Sequence, residues 1–287
     1  MLDNGLKQFI KYIKYDLHHG LLMEWKKYIV FSAFILFLCL KFIIGHSSVL
    51  AFEDLEKSLS TGDLLSYILK GMQFYQPSLT EIYVPEFTWI FMYMYITFSV
   101  SYYPLKDLHG YGQLMLLQSK QRRYWWFSKC IWNILSIGIF YFIMIMDVFI
   151  CGVITGNINI MPQVNVQAYY NQMIVTSVNI FQFILIVCVV PLVVTIAISL
   201  FQMMWAVLVH PMVGLIVSAS IYIMSIYFSW PWMMGNYLML MRSYAFNPVS
   251  QVTAEKGILY SVAVICTSGI IGYVGFRKKD ILSNYSE

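Results

Sequence analysis

Charged residues are scarce in this chain of 287 residues. Asp, Glu, Lys and Arg together make up 11% of it, whereas an average soluble domain contains about 25% of them. Apolar residues account for 60% of the chain and aromatic residues for 17%. The low charge and the excess of apolar residues exclude a soluble enzyme, a disordered chain and a collagen-like repeat. A soluble fold of this length would also expose too much apolar surface to water. The composition predicts a single all-α membrane domain over residues 1–287.

Sequence motifs for chemistry are absent as well. The sequence has no Gly-Lys dipeptide, so it contains no P-loop that would hold ATP phosphates, and it has neither HExxH nor GxSxG. The five cysteines are odd in number and lack CxxC spacing, and the five histidines are scattered along the chain. We therefore expect a protein that is not an enzyme, with no catalytic residue, metal or cofactor of its own, and no nucleic acid as partner.

Six apolar runs are each long enough to cross about 30 Å of hydrocarbon, which takes about 20 helical residues. The runs are residues 28–45, 87–105, 130–152, 176–200, 205–228 and 258–276. Only a few residues near Gln202 separate the fourth run from the fifth, which favours a tight helical hairpin. The sequence thus predicts six transmembrane helices, with the boundary between the fourth and the fifth near Gln202.

Basic residues are unevenly distributed among the connecting segments. Residues 1–27, 106–129 and 277–287 hold five, five and three Lys or Arg, thirteen in all, whereas the other connecting segments hold four. Because cytoplasmic segments are enriched in Lys and Arg, both termini are predicted to be cytoplasmic. Six acidic residues fall in the first external segment: Glu53, Asp54, Glu56, Asp63, Glu81 and Glu86. The pattern predicts a multi-pass protein of the cell membrane.

An amphipathic helix is predicted within residues 1–27. Its apolar positions recur at helical spacing and are Leu6, Phe9, Ile10, Ile13 and Leu17. Its opposite face is basic and contains Lys7, Lys11, Lys14 and His18. This pattern is typical of a helix that lies in the membrane interface, and a cytosolic helix packed on a partner protein is the alternative. The segment has no apolar core with a cleavage site, so no signal peptide is expected.

Two predicted external segments are more than connections. Apolar residues share one helical face after Thr61-Gly62-Asp63, which predicts a short surface helix. Residues 229–247 are too apolar for a solvated loop and are interrupted by Pro231 and Gly235. This second segment is predicted to be a re-entrant or interfacial element before the last span, with a plain aromatic belt as the alternative.

The loop at residues 106–129 is the most informative segment. Gly110 and Gly112 permit a sharp reversal of the chain, and residues 113–118 are predicted to form a short helix along the membrane. Ser119 is a candidate cap for the following helix. The residues predicted to anchor the third span at the interface are Arg122, Arg123, Trp125, Trp126 and Lys129. Interfacial anchoring by itself explains these basic residues without a partner.

The residue order in this loop resembles the coupling-helix region of type-2 ATP-binding-cassette exporter permeases. In that family an acidic residue, a Gly with a polar follower, a Leu-rich turn, a Ser-x-x-Arg step and a later Lys lie between the second and third spans. The matching residues are Asp107, Gly112, Gln113, Leu116, Leu117, Ser119, Arg122 and Lys129. The resemblance extends to the N-terminal helix, the six spans and the apolar insertion, which contains Asn247-Pro248.

The resemblance implies the permease half of an exporter in the bacterial plasma membrane. A separate nucleotide-binding subunit would bind ATP and Mg, hydrolyse the ATP and push on the coupling helix at residues 112–119. The coupling residues would be those of the matching loop from Asp107 to Arg122. A second permease chain, identical or different, would complete the translocation path for a hydrophobic or amphipathic solute, with peptides as one class.

Two ionisable residues, Lys41 and Asp147, lie within predicted spans. Both are placed in the outer half of the membrane by their distance from the cytoplasmic ends of their helices. Because charges in a bilayer usually face a partner or a wet cavity, we expect an ion pair between them. The alternative is that Lys41 extends to the outer interface and Asp147 lies near outer water.

Polar and proline residues in the spans are candidates for a path and for bends. Asn179 and Gln182 are candidates to line a path, and with Asn133 and Thr195 they are equally able to hydrogen-bond between helices. Pro191 and Pro211 are expected to mark bends of the fourth and fifth spans.

Two other classes of function fit the same sequence. One is an intramembrane lipid-modifying enzyme that uses Asp147 or a histidine. The other is a membrane sensor or immunity protein that transports nothing. A neighbouring gene for a soluble P-loop ATPase would favour the exporter over both.

Overall fold

The computed structural model describes residues 2–50, 58–75, 83–119, 121–173, 175 and 178–279. Its helices are α1 (Leu2–Leu17), α2 (Lys26–Val49), α3 (Thr61–Leu69), α4 (Phe87–Leu108), α5 (Tyr111–Ser119), α6 (Arg122–Thr155), α7 (Val164–Asn171), α8 (Ile180–Ile184), α9 (Val190–Leu208), α10 (Pro211–Tyr227) and α11 (Ala254–Lys278). Wide π-helical turns at His18–Leu22 and Leu185–Val189 follow α1 and α8, and 3-10 turns at Met234–Leu238 and Leu240–Arg242 precede α11. The prediction of an all-α protein is confirmed for the described residues.

Within the described residues, four helical stretches are long and apolar enough to cross a membrane. They are Lys26–Val49, Arg122–Thr155, Ile180–Leu208 and Ala254–Lys278. Helices α4, with 22 residues, and α10, with 17 residues, occupy the other two predicted runs. Helix α4 contains four tyrosines and is not one of these candidates, and α10 is shorter. The helices thus indicate a membrane protein, and six crossings remain a prediction.

The boundary between the fourth and fifth predicted spans lies further along the chain than expected. Gln202 is buried inside α9, and the break occurs at Val209 and His210. Pro211 has no backbone N–H to donate and therefore suits the first position of α10. His210 Nδ1 accepts a hydrogen bond from Met212 N at 3.3 Å and caps that helix. The expected boundary near Gln202 is wrong, because the break between the two helices lies directly before a proline and not at a polar residue.

Helix α1 packs on the rest of the molecule with a face that differs from the predicted apolar one. Tyr12, Asp16 and, in the next turn, Gly20 are buried, whereas Leu6 and Ile10 are exposed. Its exposed lysines are Lys7, Lys11 and Lys14. The predicted helix is confirmed, its packing face includes an acid, and its position in a membrane interface stays a prediction.

Helix α3 is present as predicted, but it is buried and not a surface helix. Ser60 Oγ accepts from Asp63 N at 3.1 Å while Asp63 Oδ2 accepts from Ser60 N at 3.0 Å, which forms a capping box. Asp63 Oδ1 also accepts from Gln167 Nε2 of α7 at 2.7 Å. Because its acid is satisfied by these donors, the helix can lie among apolar neighbours. The acids Glu53, Asp54, Glu56 and Glu81 lie outside the described residues.

The apolar segment before α11 is held by a buried arginine. Arg242 donates to Asn236 Oδ1 at 2.6 Å and to the carbonyl oxygens of Ile226 at 2.8 Å, Gln73 at 2.9 Å, Met72 at 3.0 Å and Ser225. The last turn of a helix leaves carbonyl groups without intrahelical donors, and Arg242 supplies donors at the end of α10. The segment is therefore neither a solvated loop nor a spanning helix.

Contacts along α6 define two ends of the molecule. Asp16 of α1 contacts Lys129 near the start of α6. At the other end, Thr155 Oγ1 donates to Leu59 O at 2.9 Å, beside α3. We call these the α5 end and the α3 end. The ion pairs among the described residues lie at one or other end, the α3-end pair being Lys70 with Glu86 at 3.3 Å.

Candidate functional site

Three charged side chains from three helices meet beneath α5, and we call them the buried triad. The triad consists of Asp16 on α1, Asp107 at the end of α4 and Lys129 on α6. Lys129 Nζ lies 2.6 Å from Asp107 Oδ2 and also contacts Asp16 Oδ1. Each of the three side chains is at most 2% exposed. Buried charges are tolerated when they are paired and hydrogen-bonded, so the triad ties α1, α4 and α6 to one another.

Neighbouring donors satisfy the two carboxylates. Tyr103 OH donates to Asp16 Oδ1 at 2.9 Å, and Ser128 Oγ donates to Asp16 Oδ2 at 2.5 Å. Trp125 Nε1 donates to Asp107 Oδ2 at 2.9 Å. The ammonium group of Lys129 also lies 4.5 Å from the ring centre of Tyr103, within the range of a cation–π interaction. The triad is therefore a packed polar network and not an open binding site.

One ammonium group faces two carboxylates, which leaves one negative charge uncompensated when all three groups are ionised. Burial raises the pKa of Asp16, and the negative charge of Asp107 raises that pKa further. Lys129 and Ser128 act in the opposite direction by stabilising the ionised form. The net direction of the shift in the Asp16 pKa is upward, so Asp16 takes up a proton more readily than a free aspartate does.

Helix α5 rests on the triad through a glycine. A Cβ atom at Gly112 would lie 2.0 Å from Asp107 Oδ2, so only glycine allows the helix to approach this carboxylate. Tyr12 OH of α1 donates to Met115 O at 3.0 Å and lies 2.7 Å from Ser119 Oγ. The helix is thereby fixed at its first turn by α4 and at its last turn by α1.

The outer face of α5 is exposed and, apart from Gln118, apolar. Tyr111, Leu114 and Leu117 are 60%, 56% and 47% exposed, and their spacing of three residues puts them along one side of the helix. With nine residues, the helix is about 14 Å long at 1.5 Å per residue. A short, rigidly anchored helix with an apolar outer face is suited to fit a groove on another protein.

Some of the predicted coupling residues are buried and hold α5 in place, and others are exposed on its surface. Asp107, Gly112, Gln113 and Leu116 are buried, and Leu117 is exposed. Ser119 is half-buried, and its hydroxyl contacts Tyr12 and accepts from Gln121 N at 3.3 Å. Most of the predicted residues therefore hold α5 in place, and the exposed Tyr111 and Leu114 were not among them.

Arg122 lies away from the exposed face of α5. Its guanidinium group donates to Phe276 O at 3.1 Å, Arg277 O at 2.9 Å and Lys279 O at 2.5 Å, all at the end of α11. An arginine at a helix C-terminus satisfies carbonyl groups and the helix dipole. Arg122 thus joins the start of α6 to the end of α11.

The structure does not bring Lys41 and Asp147 together. Lys41 is exposed on α2, and Asp147 is buried on α6, where its Oδ1 accepts from Ser32 Oγ at 3.1 Å. The ion pairs of the described residues do not include one between these two side chains. The lysine is exposed, and the acid is instead satisfied by a hydroxyl group of α2.

The predicted path and hinge residues have local roles. Asn179 and Gln182 cap α8 through a reciprocal pair of hydrogen bonds, the shorter of 2.9 Å. Gln182 also lines a groove of about 540 Å³ at the α3 end. Pro191 follows the π-helical turn in the first turn of α9, and Pro211 begins α10, so Pro211 starts a helix and does not bend one.

Two other predicted polar residues join helices. Asn133 Nδ2 of α6 donates to Ser199 Oγ of α9 at 3.0 Å. Thr195 Oγ1 of α9 lies 2.8 Å from the hydroxyl group of Tyr141 on α6. These contacts hold α6 against α9, which is the interhelical alternative considered for them.

Sequence reasoning missed Asp16, and it misplaced two tryptophans. Trp125 and Trp126, expected at the lipid headgroups, are fully buried. Trp125 binds Asp107, and Trp126 Nε1 donates to Gly269 O at 3.0 Å. One signal for Asp16 was available, because Tyr12, Asp16 and Gly20 recur every four residues and so share a face of one helix. An acid on that face needs a buried cation.

The part of the chain that the structure describes contains no group of three His, Cys, Asp or Glu side chains able to hold a metal ion. No curated protein and no solved structure matches the chain. A family model does match, over residues 33–282, which include every helix from α3 to α11 and most of α2. The chain therefore belongs to the family described as "Protein of unknown function (DUF2705)".

Proposed function

We propose that the chain is the membrane-spanning permease half of an ATP-driven exporter, with α5 as the helix that receives the ATPase. The observation that carries this proposal is the combination of a fixed inner side and an exposed apolar outer side on α5. The buried triad and Tyr12 fix the helix, and Tyr111, Leu114 and Leu117 face outward. A rigid helix of this kind transmits a push from a partner to the helices beneath it.

The proposal includes six crossings with both termini in the cytoplasm of a bacterial cell. The α5 end collects the basic segments 1–27 and 106–129, which favours this end as the cytoplasmic one. The length and apolar character of four helices support spanning. Helices α4 and α10 complete an even number of crossings in the proposed topology.

The proposed assembly contains two permease chains and a soluble subunit that binds ATP and Mg. The chain has no P-loop of its own, so energy has to enter through a partner. The path between two permease chains carries a hydrophobic or amphipathic solute, and a peptide is one such cargo. Support for this part comes from the resemblance in residues 107–129 and not from the described contacts.

Affinity purification of the full chain from its native membranes tests the proposal. Leu114→Asp with Leu117→Asp places two charges on the outer face of α5, and Ile158→Asp places one on an exposed apolar residue at the α3 end. We expect wild type and the Ile158 variant to retain a P-loop ATPase. The double variant should retain at least about tenfold less ATPase than wild type, because each 1.4 kcal/mol of lost interaction lowers the affinity tenfold. Absence of such an ATPase from the wild-type sample contradicts the proposal.

A further inference from the structure

A groove of about 730 Å³ runs between α6 and α11 near the α5 end. Its lining is mainly apolar and includes Phe9, Phe127, Ile131, Ile134, Leu200 and Ile270. Pockets that bind small molecules have volumes of about 300–1,000 Å³, so the groove has room for a ligand. Most of its lining residues belong to two candidate membrane-spanning helices, and several are exposed, so lipid can enter it from the side.

Arg123 is the charged residue of this lining, and neighbouring side chains hold it in place. Its Nε donates to Gln121 Oε1 at 3.2 Å and its Nη2 to Tyr124 OH at 3.0 Å. The guanidinium carbon lies 4.7 Å from the ring centre of Tyr124. A guanidinium group has five N–H donors, so this exposed side chain retains donors that can bind a phosphate.

The acids at this end whose side chains the structure describes are already paired. Among the described side chains there, Glu24 pairs with Lys27 and Lys106, and Asp16 and Asp107 pair with Lys129. Arg123 forms no ion pair with any carboxylate whose side chain the structure describes. In a second copy of the chain these described acids are paired in the same way, whereas an anionic lipid brings a free phosphate.

A second cation lies in line with the groove. Cys266, Ile270, Tyr273 and Arg277 of α11 follow the spacing that puts residues on one helical face. Arg277 is exposed, and its backbone oxygen is bound by Arg122 at the start of α6. The basic end and the apolar length of the groove match the two parts of a phospholipid with a negative headgroup.

We propose that this groove binds an anionic phospholipid, with an acyl chain between α6 and α11 and the phosphate at Arg123. The lipid is a site-bound ligand of the inner leaflet in the proposed orientation. This inference needs the chain to lie in a membrane but does not need it to be an exporter. Its failure would leave the proposed docking of an ATPase on α5 untouched.

Native mass spectrometry of the purified full chain tests this site, with phosphatidylglycerol and phosphatidylcholine of equal acyl chains as probes. We expect wild type to retain phosphatidylglycerol about fivefold better, the factor that corresponds to about 1 kcal/mol for one basic residue near anionic lipid. Arg123→Gln should remove this preference, and Arg123→Lys should keep part of it. Lys14→Gln, which removes a cation from the exposed face of α1, should keep all of it.

A second variant tests the apolar part of the groove without changing charge. Gly269 lines the groove, and a Cβ atom there would meet no atom within 4 Å, so Gly269→Leu adds apolar volume to the groove and should reduce retention of both lipids. Equal retention of the two lipids by wild type, or unchanged retention in Gly269→Leu, overturns the proposal. A dimer that Gly269→Leu dissociates while lipid retention stays constant also overturns it and assigns the groove to a second copy.

Discussion

Lys129 is the single cation between two carboxylates that belong to different helices. Its ammonium group contacts Asp16 and Asp107, and each of the three side chains is nearly inaccessible to solvent. Removing one partner from a buried ion pair leaves the other charge without compensation, which costs about 3–5 kcal/mol. At the residue scale, the arrangement of the α5 end therefore depends on Lys129 more than on any exposed lysine of α1.

Lys129→Met is expected to lower the free energy of unfolding by about 3–5 kcal/mol. Lys14→Met, on the exposed face of α1, should change it by less than about 0.5 kcal/mol. Denaturant unfolding in detergent, followed by tryptophan fluorescence, measures both. Adding Asp16→Asn to Lys129→Met should recover part of the loss because one stranded carboxylate is gone. Equal effects of the two lysine variants would show that the triad does not hold the fold.

The raised pKa of Asp16 predicts a pH dependence with a definite sign. A carboxyl group whose pKa is higher in the folded state than its ordinary value of 3.8 stabilises the fold fully below that value. This contribution is lost as the pH rises through the folded-state pKa. Asp16→Asn stays neutral, so wild type should lose stability relative to Asp16→Asn as the pH is raised above 3.8. Unfolding midpoints of the two proteins across this range measure the difference, and a constant difference contradicts the assignment.

Helix α5 depends on close approach as much as on charge. Gly112 lies so near Asp107 that an added methyl group would overlap the carboxylate. Gly138, inside α6, would accept a Cβ with no atom within 4 Å. The two glycines therefore differ in purpose, although both lie in helices.

Gly112→Ala is expected to destabilise the protein by about 1–3 kcal/mol, the cost of forcing extra volume into a packed site. Gly138→Ala should be neutral or stabilise the protein by up to about 1 kcal/mol, because alanine favours the helix. Thermal unfolding of the two variants in one detergent provides the comparison. If both variants have the same midpoint, Gly112 is not the contact that seats α5 on Asp107.

The sequence was sufficient to locate most elements but not their packing. Apolar runs identify the long helices, because a helix that spans a membrane needs about 20 consecutive apolar residues. The two glycines followed by a Leu-rich turn identify α5. Residue roles at the site depend on contacts between distant segments. Asp16 and Lys129 are 113 residues apart, and no local pattern shows that they meet. The burial of α3 was missed for the same reason, because Gln167 of α7 satisfies Asp63 from outside the helix.

The whole molecule has charged clusters at two ends with apolar helices between them. The triad and the pairs of Glu24 lie at the α5 end, and Arg242 and the pair of Lys70 with Glu86 lie at the α3 end. Such a distribution fits a chain whose two ends face water on opposite sides of a membrane. The orientation that follows from the basic segments puts the α5 end in the cytoplasm.

Cysteine labelling tests this orientation. In a Cys266→Ser background, His109→Cys places a thiol at the exposed turn between α4 and α5, and Ile158→Cys places one at the exposed turn after α6. A maleimide that does not cross membranes should label position 158 in intact cells and position 109 only after permeabilisation. Labelling of position 109 in intact cells would reverse the proposed topology.

The most direct test of the central claim, that α5 is a docking helix for an ATPase, is site-specific photocrosslinking in living cells. A photoreactive phenylalanine analogue replaces Leu114 on the outer face of α5 or, as a matched control, the exposed Ile158 at the α3 end. The account predicts a crosslink from position 114 to a P-loop ATPase and none from position 158. No crosslink from position 114 to such a subunit, in cells that make the assembled protein, would contradict it.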